Sequence, residues 1–578
     1  MKKDSKLKKA FAKLADTDAL KWILKNSRRQ GVFIILLTLL NVLIACCSIA
    51  ISYMLRFVIN SATDNTVTDV SAKMDNIFFW GSIFIGLALS QVVSRILSNH
   101  LVFRISARLT IDIKSSLYHK MLRKSYAHIS KYHTGELLNR LNDDINSISH
   151  AITTLVPNIA FIFVKLVGIF VVLFSIDAMF TLVFIGVGVG VFVFSSLFKG
   201  AMKSYHKQIM ETDGKIRSFM QETLASLMVV KIFKSEDKVE KTASDLQEDN
   251  FKRKARRNII SLTTTSAFNL AFNAAYLFGL FFCAVKIANN DPFITYGTLS
   301  QVLSLVSQIS VPINSLTTII PLYYTALASA ERIMEIENIE DEPLINDDSL
   351  DIKALYSKLT SIEFDNITFK YDRDEIFDST SLTVDKGDLL VMTGISGIGK
   401  STLTKLLLGV FPISGGEIYL RFSDGSKISV DANTRRFFSY VPQGNFLLSG
   451  TLRDNIAFIK SDATEDEIWA AVRFACADFI EDLPKGLDTV IGEKGLGLSE
   501  GQVQRVAIAR AILSDAPVIL LDEATSALDE ATELKLLENI KKLSDKTCIL
   551  ISHKKAANEV CNKEVRIIDK KITVIKND

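Results

Sequence analysis

The chain has 578 residues, 48% of them apolar, with 36 Phe and a mean hydropathy of +0.25. That is too long for one hydrophobic core and too apolar for an ordinary soluble enzyme, so at least two domains with a membrane component are expected. A formal net charge of +3 is nearly balanced and speaks against nucleic acid as a partner, and six cysteines without a Cys-x-x-Cys pair or partner histidines read as buried thiols.

Residues 1–30 form a Lys- and Arg-rich lead without a signal-peptide cleavage pattern, expected on the cytoplasmic side. Six apolar stretches long enough to span a bilayer follow, at 32–59, 77–97, 155–176, 180–198, 267–288 and 299–322. The connections at 61–76 and 287–297 are nearly free of Lys and Arg, whereas the long tracts 103–150 and 199–258 are rich in both. The positive-inside rule therefore places both tracts and both termini in the cytoplasm. The tracts lack Pro and are almost free of Gly, so the membrane helices are expected to continue well beyond the lipid. Interruptions at 130–135 and 211–214 are where a helix could reverse and lie crosswise. Polar residues inside the spans are expensive against lipid and become candidates for a substrate cavity: Asn158 and Lys165, then Asn269, Asn273 and Tyr276, then Gln301 and Gln308. Hydrogen bonding between helices is the alternative for the amides.

The membrane domain is expected over residues 31–328, followed by an acidic, polar linker at 329–358. From 359 to 578, short apolar strands at 362–369, 388–393, 518–522 and 547–552 alternate with helical tracts, which implies an α/β domain with a largely parallel sheet. Between one such strand and a helix lies Gly394-Ile395-Ser396-Gly397-Ile398-Gly399-Lys400-Ser401-Thr402, a phosphate-binding loop. Its glycines let backbone N–H groups turn onto a triphosphate, Lys400 reaches the outer phosphates, and Ser401 suits magnesium. Asp522 closes an apolar strand and is the second magnesium candidate, with Glu523 beside it as the base that polarises water. Gln443, after Pro442, is placed to sense magnesium and water, and His553 ends another strand within reach of a γ-phosphate. Leu498-Ser499-Glu500-Gly501-Gln502 stands before a helix and would bind an anion at the helix N-terminus.

These motifs, in this order, resemble the ATP-binding cassette (ABC) exporters of the half-transporter kind, and the likeness runs over essentially the whole chain. Ser526-Ala-Leu-Asp529, the segment Ile491-Gly-Glu-Lys-Gly495, and the membrane-half segments at 134–143 and 221–233 match as well. The resemblance implies a six-helix all-α membrane domain joined to an α/β phosphate-loop ATPase. Tyr371 would stack on adenine, ATP and Mg2+ would be the cofactors, and Leu498 to Gln502 would contact ATP held by a partner chain. It implies a dimer, most simply a homodimer, with a second half-transporter as the other possibility. The expected location is a bacterial inner (plasma) membrane, and the expected cargo is a lipid, peptide or hydrophobic drug. Glu500 departs from the commonest signature, where glycine is usual. An ATP-gated channel or regulator on the same scaffold is the alternative function. A soluble cassette protein would lack the spans, and an importer would carry cassette and permease on separate chains.

Overall fold

The computed structural model describes residues 18–63, 69–289, 291–343, 351–371, 374–444, 447–492, 495 and 497–577. The first part of the N-terminal lead, residues 344–350 of the acidic linker, and Glu493 and Lys494 of the segment before the signature lie outside these. The chain divides into two compact units, Met1–Tyr118 with Gly135–Glu335, and His119–Thr134 with Ile336–Asp578.

Helices in chain order are α1 (Asp18–Ser27), α2 (Gly31–Thr63), α3 (Val70–Met121), α4 (Tyr126–Ile129), α5 (Thr134–Asn139), α6 (Ile145–Ile176), α7 (Ala178–Leu197), α8 (Lys199–Ala225), α9 (Leu227–Ile232), α10 (Glu236–Ala288) and α11 (Tyr296–Glu337). The six expected spans fall on α2, α3, α6, α7, α10 and α11. Among the described residues, the helical segments Asp18–Thr63, Val70–Met121, Thr134–Ile176 and Glu236–Ala288 are long and apolar enough to cross a membrane. The apolar run of α7 is shorter, and α11 carries Pro312 and Pro321. Only Asp177 separates α6 from α7; its carboxylate accepts from the Phe180 N–H at 2.8 Å and starts the new helix. Ile169, Leu173, Phe180, Val302 and Leu305 form the packed centre of α6, α7 and α11. Close approach holds such a bundle together where lipid offers no hydrophobic drive: a Cβ on Gly279 of α10 would lie 3.4 Å from Phe180 and 3.5 Å from Val302. Five of the six cysteines are buried, and Cys46 is exposed.

The long helical extensions are present, with α3 at 52 residues and α10 at 53. Residues 130–133 interrupt the first tract, and the break begins earlier, with α4 set between Met121 and Thr134. The expectation of a reversal at 211–214 is overturned, because α8 runs unbroken through it and the chain turns instead around α9. Asp213 serves the pairing of α8 with α10: it accepts from Asn250 at 2.6 Å and Lys254 at 3.1 Å. Those contacts favour continuing the helix over breaking it.

The second unit carries β1 (Leu359–Tyr371), β2 (Asp374–Asp385), β3 (Leu389–Thr393), β4 (Gly415–Phe422), β5 (Lys427–Ser429), β6 (Phe438–Val441), β7 (Gly450–Thr451), β8 (Val490–Ile491), β9 (Val518–Asp522), β10 (Thr547–Ile551), β11 (Lys563–Ile568) and β12 (Lys571–Asn577). Its helices are α12 (Ile352–Lys358), α13 (Lys400–Leu407), α14 (Leu452–Ile456), α15 (Glu465–Phe474), α16 (Glu500–Leu513), α17 (Glu530–Lys541) and α18 (Lys555–Val560). The main sheet has the order β12-β11-β3-β10-β9-β6, parallel throughout except for β12. Its central strands are wholly buried, which explains their unbroken apolar runs. The strand expected at 362–369 belongs elsewhere: β1 lies in an antiparallel sheet ordered β2-β1-β4-β5. Its alternating burial fits a sheet with one face on the core.

Residues 119–134 pack within this unit. Ser125 N–H donates to Glu340 at 3.0 Å and Glu342 N–H to Arg123 at 2.8 Å. Arg435 grips Glu342 through two hydrogen bonds of 2.8 and 2.6 Å and donates to the carbonyls of Leu408 and Gly409, just past α13. The Tyr126 ring of α4 lies 6.0 Å from that of Phe411.

In the antiparallel sheet, Arg421 and Tyr419 hydrogen-bond Glu363 and hold its carboxyl down at about 2. A depressed folded-state value stabilises the fold above the ordinary carboxyl range, near 4.3, and that contribution is lost as pH falls toward the folded value. Glu363→Gln is therefore expected to lower the thermal midpoint of the purified protein at pH 6. The gap from wild type should narrow as the pH is lowered toward 3.

Candidate functional site

The phosphate loop follows from the main sheet. β3 ends at Thr393, and Gly394, Gly397 and Gly399 then take φ values of +141°, +81° and +114° before α13 begins at Lys400. These angles are natural only to glycine. At Gly399 space is short as well, since a Cβ would lie 2.6 Å from Ile376 and 3.1 Å from Phe377. Ile395, Ser396 and Gly397 are exposed, while Lys400 and Thr402 are buried in the first turn of α13. The Lys400 ammonium lies across the loop and donates to the carbonyls of Gly394 at 2.9 Å and Ile395 at 3.1 Å. Burial pulls its pKa below the ordinary lysine value, against the opposing pull of Glu523 and Asp522.

Parallel register brings the carboxylates to this edge. Asp522 pairs with Ile551 in β10, and Leu521 with Val441 in β6, so Glu523, His553 and Gln443 all emerge just beyond paired strand ends. Ser401 donates to Asp522 Oδ1 at 2.9 Å, and Tyr440 donates to Oδ2 at 3.1 Å. Burial raises the Asp522 pKa, and those two hydrogen bonds oppose the rise. Glu523 takes φ +51°, rare for a residue with a side chain and a feature that clusters at functional sites. Its N–H donates to Ile551 at 3.2 Å and its carbonyl accepts from Ser526, also at 3.2 Å. The strained turn lifts its carboxylate between two partners: Gln443 donates to Oε2 at 2.6 Å, and His553 Nε2 lies 3.6 Å from Oε1. His553 also lines a groove of about 490 Å3 with Gly394, Ile395, Ile398, Arg566 and Asp569.

The donor set fits magnesium. Ser401 and Asp522 are hard oxygen ligands side by side, and Mg2+ typically takes one or two protein oxygens and fills the rest of its octahedron with phosphate and water. Among the described residues no cluster of three or more His, Cys, Asp or Glu could form a denser cage. Tyr440, which orients Asp522, was not foreseen from sequence. Its only signal is a tyrosine on the strand leading to Pro442 and Gln443.

Ser499 caps α16 in a reciprocal box with Gln502, at 3.3 Å from Gln502 N–H to Ser499 and 2.9 Å from Ser499 N–H to Gln502 Oε1. Glu500 is exposed in the first helical turn, where a negative charge favours the helix dipole. Gly501 lies against the loop after Glu523, and a Cβ there would sit 2.8 Å from the Ala527 carbonyl oxygen. Gln504 donates to Ser526 at 2.9 Å and accepts from Ala527 N–H at 3.1 Å, which ties α16 to that loop. Leu498 packs against the surrounding core. Among the described residues no hydrogen bond or ion pair joins residues 498–502 to the phosphate loop of the same chain. Asp529 caps α17 by accepting from Thr532 at 3.0 Å. Tyr371 meets Phe369 and Phe411 edge-on, with ring centroids 4.8 and 5.3 Å away.

In the membrane unit the cavity candidates separate. Gln308 donates to Ser52 at 2.8 Å and to the Ser48 carbonyl at 3.1 Å, and Gln301 accepts from Arg56 at 3.4 Å, so both bridge α11 to α2. Arg56, inside the first expected span, was missed by the sequence reading. Arg56 Nε, Gln301 Nε2 and Gln308 Oε1 are buried without partners. Lys165 is buried on α6 with its ammonium 5.2 Å from the Phe161 ring. Tyr276 is half-buried, Asn158 likewise, and Asn269 and Asn273 are exposed.

Comparison with known proteins agrees with both halves. Residues 34–313 match the ABC transporter transmembrane region and residues 377–526 the ABC transporter domain. The chain is 30% identical to the ATP-dependent lipid A-core flippase of Dechloromonas aromatica, over 86% of this chain and 84% of that protein. It is 28% identical to the ABC transporter ATP-binding protein YfiC of Bacillus subtilis, over 86% and 82%. The solved structure of a bacterial Atm1-family ABC exporter with ATP bound shares the fold at a TM-score of 0.77, 24% identity and 94% coverage of both chains. With a helical membrane region and an ATP-hydrolysing cassette fused in one polypeptide, the chain belongs to the ABC transporters, as an integral-membrane half-transporter of the exporter type.

Proposed function

We propose that the chain works as a homodimer that uses ATP to export, or flip between leaflets, an amphipathic cargo by alternating access. The observation that carries this is the Glu523 carboxylate, held between Gln443 and His553 beside Asp522 and Ser401. Glu523 is the base that polarises the attacking water, Gln443 positions carboxylate and water, and His553 donates toward the γ-phosphate. Lys400 leaves the loop carbonyls for the outer phosphates, and the loop from Gly394 to Thr402 cradles them. Tyr371 lies beside the adenine. Ser401 and Asp522, with Gln443, would hold Mg2+, whose charge would offset that building on the phosphates.

Leu498 to Gln502, unconnected to its own phosphate loop, serves the ATP of the partner subunit. Closing two cassettes on two ATP molecules would pull on α4 and on residues 340–342, which reach the end of α13 through Arg435. The membrane is bacterial and plasma-type, with both termini cytoplasmic. Relatives named lipid A-core flippases make a lipid the first cargo class to test. In sealed vesicles, ATP-dependent and vanadate-sensitive lipid transfer supports export. ATP-gated conductance without accumulation overturns it in favour of a channel.

Within this reading Lys165, Asn158, Asn269, Asn273 and Tyr276 border the cargo path, while Gln301 and Gln308, whose unpaired atoms are buried between α11 and α2, would reach it only when those helices move apart. Lys165→Ala is expected to weaken cargo stimulation of the ATPase about tenfold while sparing the unstimulated rate, since one lost charge contact is worth roughly 1.4 kcal/mol or more. Unchanged stimulation and transport remove Lys165 from the path.

A further inference from the structure

A groove of about 670 Å3 lies between the start of α2 and the part of α3 just past its apolar stretch, and none of its lining residues belongs to the nucleotide site or the cavity candidates. Its lining is apolar at Phe33, Phe103 and Ile111 and polar at Gln30, His100, Arg104 and Arg108. On α3, Ile96, His100, Arg104 and Arg108 follow one another at spacing four, so lipid-facing apolar surface passes directly into basic surface within adjoining turns. Ile96 is 62% exposed and Phe103 73% exposed.

The Arg104 guanidinium stacks on the Phe33 ring at 4.4 Å. A guanidinium seated over a ring still has N–H groups to offer a bidentate acceptor. Among the described residues Arg104 and His100 have no carboxylate partner. Arg108 has only a loose contact with Asp112, at 3.8 Å. Arg28 and Arg29, exposed between α1 and α2, add cations at the same end of α2. The lead helix α1 carries Trp22, Lys21 and Lys25, a composition suited to a bilayer interface.

We propose that this groove binds an anionic phospholipid, with its phosphate on Arg104 and Arg108 and its glycerol and first acyl carbons over Phe33 and Phe103. Free phosphate would use the cations and leave the aromatic rings uncovered. General enrichment of cations at a membrane edge explains the sign of the charge, but not a guanidinium stacked at the head of an apolar groove.

The test titrates the purified full chain, in detergent, with dioleoyl phosphatidylglycerol and with dioleoyl phosphatidylcholine, counting bound lipid by native mass spectrometry. Phosphatidylglycerol binding is expected to weaken about fivefold in Arg104→Ala and about twentyfold in Arg104→Ala/Arg108→Ala, with phosphatidylcholine unaffected. Arg256→Ala, an exposed cation on α10, is expected to bind as wild type does. The proposal is overturned by equal phosphatidylglycerol binding in the double variant, by an equal loss in Arg256→Ala, or by displacement of the lipid with millimolar inorganic phosphate. Should the double variant misfold, the wild type is cross-linked to a photoreactive phosphatidylglycerol. Capture on residues 28–33 and 100–111 supports the site, and capture only elsewhere overturns it.

Discussion

Glu523→Gln is expected to slow ATP hydrolysis by about 10²- to 10⁴-fold, the range contributed by a positioned base, while ATP affinity changes little. The geometry separates these two effects. Nucleotide is to be held by the loop from Gly394 to Thr402, by Lys400 and by the Ser401–Asp522 pair, none of which hydrogen-bonds the Glu523 side chain. Glutamine keeps the size of the side chain and its reach to Gln443, but it cannot take a proton from water. The strained backbone at Glu523, φ +51°, is held by hydrogen bonds to Ile551 and from Ser526, and both survive the substitution. Steady-state ATPase assays beside equilibrium binding of a fluorescent ATP analogue check this. A variant that hydrolyses ATP at more than a tenth of the wild-type rate would transfer the role of base elsewhere.

The second large effect is complementation. Gly501→Val forces a Cβ to within about 2.8 Å of the carbonyl oxygen of Ala527, a residue whose N–H is tied to Gln504, so the start of α16 must move. Lys400→Ala removes the ammonium that is to meet the outer phosphates. Each homodimer is expected to lose ATPase activity by about 10²-fold or more, the scale of losing one preorganised charge-stabilising group. In a mixed dimer both lesions fall in one composite site, and the other site joins an intact phosphate loop to an intact signature. Co-expressed, the unselected mixture should recover up to about a quarter of the wild-type rate, for random pairing and independent sites, and mixed dimers purified through two different tags up to about half. No recovery would mean that each chain's signature serves its own ATP.

Much of the cassette was legible because its chemistry is local. The phosphate loop, Asp522, Glu523 and His553 each sit at the end of a strand marked by an apolar run, and parallel pairing of those strands leaves their ends on one edge. The misreadings share a cause: each depended on partners outside the segment being read. Asp213 and Gly214 read as a reversal, yet Asn250 and Lys254 hold that stretch as helix. Ile362 to Phe369 read as part of the parallel sheet, yet its partners are β2 and β4. Arg56 was hidden within an apolar stretch, and its acceptor Gln301 lies on the last membrane helix.

Residue order was enough to establish the two-part architecture and the identity of the phosphate-binding and carboxylate residues, since glycine spacing and strand-terminal charges are properties of short segments. Which groups touch was a matter for the folded chain. Tyr440 on Asp522, Gln443 on Glu523, and the hold of Arg435 on Glu342 at the end of α13 each depend on strand register or chain crossing. The groove headed by Arg104 was likewise invisible in sequence, because its two walls are separate helices and only their packing places a phenyl ring beneath a guanidinium.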